Sequence, residues 1–279
     1  IENTAQEGSL AIIKVDKDSR KRLAGAEFKW RDTVTGKEGT VVADKNGQAL
    51  ITNLPVNRVY EITEIKAPNG YILNNKTYRV TLTTNFADKI GYYTIENVAL
   101  RGNLKLIKQD SYSKQRLAGA QFRWRDTVNG NTGVVTANAN GEATLYNFSV
   151  NRIYEITEIK APNGYILDKT VHRVLLPSNY ASKTYTFTKN NQAQKGAIKI
   201  VKQDGYTKQR LAGAQFKFRD TTNNYTATFT ANRNGEVLIT GLAGDRIYEI
   251  TEIKAPNGYI IDRRVHKVDL RGQGGKTYT

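Results

Sequence analysis

Three residue types stand where alternation calls for an apolar side chain. Leu10, Ile12 and Lys14 share one strand face, as do Leu104, Leu106 and Lys108, and Ile198, Ile200 and Lys202. The opposite face of these runs carries Lys105 and Lys199, which read as ordinary solvent lysines, so the inward placement does not simply reflect lysine-rich strands. Tyr60, Ile62 and Glu64 alternate in the same way, with Glu158 and Glu252 repeating the placement, and Tyr93 and Ile95 lead inward to Asn97. Burying an isolated charge costs several kcal/mol and burying an unpaired amide roughly 1 to 3, so such a trio must pair or react. Desolvation favours neutral lysine and neutral carboxylic acid. A neutral amine is a nucleophile, and a neighbouring glutamic acid can hydrogen-bond the asparagine carbonyl, polarise its carbon and pass protons to departing ammonia. The product is a Lys–Asn isopeptide bond. The unreactive alternative is a buried Lys14–Glu64 salt bridge capped by Asn97, an arrangement that often adds little net stability.

The elements that must position these residues recur along the chain. KRLAGAEFKWRDT from Lys21, KQRLAGAQFRWRDT from Lys114 and KQRLAGAQFKFRDT from Lys208 are each followed by YEITEIKAPNGYI, from Tyr60, Tyr154 and Tyr248, a period of 94 residues. That period is a whole domain and exceeds the roughly 20 to 50 residues of a solenoid unit. Within each repeat, short alternating runs are broken by Asn46-Gly47, Asn140-Gly141 and Asn234-Gly235, and by Pro-Asn-Gly at Pro68, Pro162 and Pro256, which are hairpin and tight-turn signals. Ala26, Phe28 and Trp30 alternate with charge and define a buried face. The pattern predicts an all-β chain of three tandem sandwiches.

The frame of the repeats sets the expected boundaries. Ile1-Glu2-Asn3 matches Ile95-Glu96-Asn97, so residues 1–7 read as the last strand of a preceding repeat plus a linker. Repeats then span 8–101, 102–195 and 196–279, the third expected to lack its final strand. Linkers around Leu100 to Asn103 and Gln192 to Gly196 are short, which favours a semi-rigid rod.

Composition narrows the function. With 279 residues, 39% hydrophobic and 24% charged, the chain has the make-up of folded, soluble protein, and no apolar run approaches the roughly 20 residues of a membrane span. It begins without Met or a leader, so it reads as a piece of a longer protein. The absence of cysteine excludes disulfides, thiolate metal sites and thiol nucleophiles. His172 and His266 are copies of one strand position and make no metal cluster, and no cofactor is expected. The net charge of +16 would favour polyanions, yet the basic residues are spread through every repeat, the pattern of solvated strand faces and not of specific nucleic-acid recognition. Trp30 and Trp124 read as packing residues, since Phe218 replaces them in the third repeat.

Lys14 in IIKVD, the LAGAEF segment, Glu64 in YEITEIKAPNGY and Asn97 in TIENV resemble the Cna protein B-type (CnaB) domains of Gram-positive surface adhesins and pilins, over essentially the whole chain. The resemblance implies a prealbumin-like, reversed immunoglobulin sandwich in which lysine and asparagine join spontaneously with help from the glutamate. Carried over by residue, it implies Lys14 joined to Asn97 with Glu64 assisting, and Lys108 joined to Asn191 with Glu158 assisting. Lys189 stands where the first repeat has Ile95, and Asn190 is a rival acceptor to Asn191, which the spacing favours. Lys202 and Glu252 recur in the third repeat, but the matching acceptor would fall after Thr279.

The expected function is that of extracellular stalk or spacer repeats on a bacterial cell surface, cross-linked once per module and without turnover. Their partners are the neighbouring repeats. One alternative is that the repeats themselves bind cell-wall polymers or host glycans. Another is an intermolecular bond between Asn3 and Lys202.

Overall fold

The computed structural model describes residues 4–279. The first module runs β1 (Glu7–Asp16), β2 (Glu27–Asp32), β3 (Glu38–Val42), β4 (Gln48–Pro55), β5 (Arg58–Lys66), β6 (Thr77–Leu82) and β7 (Ile90–Asn97). The second repeats this order as β8 (Arg101–Asp110), β9 (Gln121–Asp126), β10 (Thr132–Thr136), β11 (Glu142–Ser149), β12 (Arg152–Lys160), β13 (His172–Leu176) and β14 (Thr184–Asn191). The third follows as β15 (Lys195–Val201), β16 (Gln215–Asp220), β17 (Thr226–Thr230), β18 (Glu236–Ala243), β19 (Ile247–Lys254), β20 (Val265–Asp269) and β21 (Thr277–Tyr278). Each module stacks a three-stranded sheet, ordered β4-β1-β7 in the first, on a four-stranded sheet ordered β3-β2-β5-β6. The all-β tandem sandwich read from the sequence is therefore the observed architecture.

Alternation assigns the faces as expected: Leu10, Ile12, Ala26, Phe28, Tyr60 and Ile62 fill one core. Burying a tyrosine requires a partner for its hydroxyl, and Tyr60 donates to the carbonyl of Pro55 at 2.7 Å, with Tyr154 and Tyr248 doing the same five residues upstream. Trp30 and Trp124 are partly buried packing residues, Trp30 lying edge-on to Tyr60 and Trp124 to Phe148.

The Asn-Gly signals mark tight turns, but not hairpins. The turn holding Asn46-Gly47 joins β3 to β4, which lie in different sheets, so it carries the chain across the sandwich. Asp44 Oδ1 accepts the backbone N–H groups of Asn46 and Gln48, and Gly47 adopts φ +68°, a conformation that favours glycine.

Alternation alone does not disclose the pairing of the first and last strands. Strand β7 lies beside β1 and parallel to it, with Lys14 opposite Ile95 and Asp16 opposite Asn97. Strand β14 pairs with β8 in the same way. The third module, expected to lack its final strand, carries a two-residue strand at that place. Thr277–Tyr278 already occupies its start, parallel to Ala197–Ile198, and the Ala197 N–H donates to the carbonyl of Lys276 at 3.0 Å.

The linkers are paired on both sides. Leu100 donates to the carbonyl of Gly70 at 2.8 Å and accepts from Val150 N–H at 2.9 Å; Gln194 is held by Gly164 and Gly244 at 2.8 and 3.0 Å. Each linker is thus hydrogen-bonded to the modules before and after it, which restricts bending at the joint.

Candidate cross-linking sites

Lys14 is fixed first through its backbone. Its N–H donates to the carbonyl of Gly47 at 2.8 Å and its carbonyl accepts from Leu23 at 2.9 Å, so the sheet-crossing turn packs directly on the lysine. A Cβ on Gly47 would lie 2.8 Å from the Leu23 backbone nitrogen and 3.0 Å from the Lys14 carbonyl oxygen, so any other residue there would force the turn to shift. Lys108 with Gly141 and Lys202 with Gly235 repeat the arrangement at 2.7 and 2.8 Å. The side chain then runs inward, its amine 5.6 Å from the centre of the Phe28 ring, as Lys108 is from Phe122.

The glutamate arrives from the opposite sheet. Strand β5 places Glu64 across from Phe28, and the backbone N–H of Asn74 holds Glu64 Oε2 at 2.7 Å. Asp168 and Asp262 N–H groups hold Glu158 and Glu252 at 3.0 and 2.7 Å. These positions, ten residues after each glutamate, are contacts to the candidate site that the sequence reading passed over. Their only signal is the recurrence of Asn74, Asp168 and Asp262 at the repeat period.

The asparagine closes the site from the end of β7. Asn97 is 1% exposed and Lys14 0%, so both are removed from water. Lys14 Nζ lies 2.9 Å from Glu64 Oε1 and contacts Asn97 Oδ1, while Asn97 Nδ2 donates to both carboxylate oxygens of Glu64 at 3.0 Å. The second module matches closely: Lys108 Nζ is 3.0 Å from Glu158 Oε1 and contacts Asn191 Oδ1, and Asn191 Nδ2 donates to Glu158 at 3.0 and 2.8 Å. Asn190 is exposed, so it is Asn191 that meets Lys108.

Burial pulls the Lys14 and Lys108 amines below the ordinary lysine range, while the adjoining glutamate opposes the shift. The carboxyl contacts the amine and the amide nitrogen together, whereas the sequence reading placed it on the amide carbonyl. It therefore stands between the amine and the amide nitrogen, the groups that would lose and gain protons in a Lys–Asn condensation. The same contacts also describe a buried ion pair capped by an amide, which is the unreactive alternative.

Lys189 does not enter this centre. It pairs with Asp168 and contacts His172, which accounts for a lysine standing where the first module has Ile95. His266, the other histidine, is exposed and 3.5 Å from Asp262. Among the described residues no group of three or more His, Cys, Asp or Glu side chains is arranged to hold a metal ion. In the third module Lys202 Nζ is 2.8 Å from Glu252 and 19% exposed, in a cavity of about 380 Å³ lined in part by Phe216, Ile250 and Val268. Asn3 lies outside the described residues.

Comparison with known proteins follows the same three units. The SpaA prealbumin-like fold domain model matches residues 8–97, 102–192 and 196–279, a family that the CnaB-type resemblance fits. A stretch of 72 residues, 26% of the chain, is 42% identical to the trypsin-resistant surface T6 protein of Streptococcus pyogenes and spans 13% of that protein. Among solved structures, the Bacillus anthracis TIE protein aligns over 98% of this chain and 50% of its own, at 21% identity and a TM-score of 0.47. A streptococcal ancillary pilin aligns over 98% of both chains at 18% identity and a TM-score of 0.34. With nearly its whole length matched in three successive units, the chain belongs to the SpaA prealbumin-like fold domain family.

Proposed function

We propose that the three modules are structural stalk repeats of a bacterial surface adhesin or pilus-like protein, outside the cell, and that the first two are each closed by a Lys–Asn isopeptide bond. The observation that carries this reading is the fully buried contact of Lys14 with both Asn97 and Glu64, repeated at Lys108, Asn191 and Glu158. In its neutral form the lysine amine attacks the asparagine Cγ. Glu64 or Glu158 takes a proton from the attacking nitrogen and delivers one to the departing Nδ2, so the C–N bond to lysine forms as the bond to ammonia breaks. Each site is consumed by its own reaction, so the module is not an enzyme in the turnover sense. The family match and the surface-protein relative agree with a stalk role.

The mechanical use follows from strand order. Tension entering at the start of β1 and leaving after β7 would pass from Lys14 straight to Asn97 through the bond. The 83 residues of sequence separation between them would carry no load. Closing a loop of that length stabilises the fold by about 4.5 kcal/mol in the chain-entropy model. The test is peptide mapping after denaturation: a Lys14–Asn97 and a Lys108–Asn191 linked peptide are expected, and unlinked peptides at both sites would remove the proposal.

Lys202 supports one second reading, because its amine opens into a cavity beside Glu252. An asparagine-bearing strand from another copy would find the same amine and carboxyl there, with Asn3 the sequence candidate. Oligomers that resist boiling in detergent are expected on this reading, and a strictly monomeric band contradicts it.

A further inference from the structure

The two joints between modules use equivalent positions but opposite charge logic. At the first, Arg152 is 4% exposed and binds Asp126 of its own module at 3.0 Å. It also reaches Asp16 and Asp18 of the preceding module at 3.4 and 2.8 Å. Beside it, Asn151 donates to the carbonyl of Asn69 at 2.8 Å. At the second joint, Arg246 takes the place of Arg152 and Asp110 that of Asp16, but Asp245 replaces Asn151. Arg246 is held by Asp220 at 2.6 Å and stacks 4.4 Å over the ring of Tyr112, without an ion pair to Asp110.

Asp245 comes within hydrogen-bonding reach of Asp110 across the second joint. Asp110 is fully buried; its Oδ1 accepts from Tyr112 N, Ser113 N and Ser113 Oγ, and the Tyr165 hydroxyl approaches the carboxyl as a further donor, leaving Oδ2 without a well-aligned partner. The Asp245 side chain is 6% exposed, and its Oδ1 also lacks a hydrogen bond, the nearest cation being Arg246 Nε at 3.5 Å. The Tyr165 hydroxyl faces the same pair, and Tyr248 adjoins Asp245. Two buried carboxyls within reach of each other repel when both are ionised, a repulsion that Arg246 beside Asp245 offsets in part, whereas a proton on Asp245 converts the clash into a hydrogen bond.

We propose that the joint between the second and third modules is locked by a proton that Asp245 holds and donates to Asp110, and that it loosens when that proton is lost. Burial, then the Asp110 charge, raise Asp245 above the ordinary aspartate range, so the protonated form belongs to the docked state. Docking is therefore fully supported below the undocked aspartate value and weakens as pH rises through the raised one. For one linked proton, the ratio of undocked to docked joints grows up to about tenfold per pH unit in that window. The first joint has no such pair and keeps its geometry.

The chain has no cysteine, so thiol-reactive dyes can be placed without background. Ala139→Cys with Arg233→Cys reports the second joint, and Lys45→Cys with Ala139→Cys the first, all at exposed turns. Single-molecule energy transfer from about pH 4 to about pH 9, with chelator present, should show the 139–233 distance broadening while the 45–139 distance holds. Asp245→Asn, which restores the residue of the first joint, should remove the broadening. A distance that ignores pH, or a pH dependence that survives Asp245→Asn, overturns the proposal. A pH dependence that vanishes with chelator also overturns it, assigning the carboxyls to a bound cation.

Discussion

At the scale of the residue, the reactive trio was legible because charge and amide groups interrupted a two-residue apolar alternation. Lys14, Glu64 and Asn97 all proved buried and in mutual contact. The role of Lys189 was not legible, since Asp168 and His172 reach it from segments 21 and 17 residues away and meet it only in the folded module. Nor does alternation say which amide atom the glutamate touches. Glu64→Gln keeps the shape of the side chain but removes the proton carrier. The expected outcome is an unlinked first module beside a linked second one, seen by peptide mapping, with about 4.5 kcal/mol lost from the first module's unfolding free energy. A Lys14–Asn97 link that persists in Glu64→Gln contradicts the assisting role.

At the scale of the element, faces could be read but neighbours could not. The turn residues at Asn46-Gly47 were visible, whereas the crossing between sheets depends on which strands β3 and β4 join. A packing pair shows how the elements keep register. Trp30 lies opposite Gly39 and Trp124 opposite Gly133, while the smaller Phe218 lies opposite Ala227. A Cβ on Gly39 would come within 2.8 Å of the Trp30 indole nitrogen. Gly39→Ala alone should cost about 1 to 3 kcal/mol by overpacking, and Gly39→Ala combined with Trp30→Phe should recover most of it, as read by denaturant unfolding. Additive losses in the double variant would show that the two positions are independent.

At the scale of the molecule, the repeat period announced three modules, but no periodicity distinguishes a free linker from one paired on both sides. The Arg152 cluster that joins the first two modules unites residues more than 130 positions apart. Arg152→Ala leaves Asp16 and Asp126 buried without their cation. A loss of about 3 kcal/mol from the second module and a wider spread of inter-module distances by small-angle scattering are expected. Unchanged scattering would mean that the linker hydrogen bonds alone fix this joint. Under tension, the linked first module should not release the segment between Lys14 and Asn97, whereas the Glu64→Gln module should lengthen by about 290 Å in single-molecule pulling. Equal lengthening of both would contradict the load path drawn through the bond.

The most direct measurement is the intact mass of the chain under denaturing conditions. Each Lys–Asn bond expels one ammonia, so two closed modules lower the mass by about 34 Da relative to the sequence. Glu64→Gln and Glu158→Gln should each restore about 17 Da of that deficit after allowance for the substitution itself. A chain at its full sequence mass would contradict the cross-linked stalk and leave Lys14 with Glu64, and Lys108 with Glu158, as buried salt bridges.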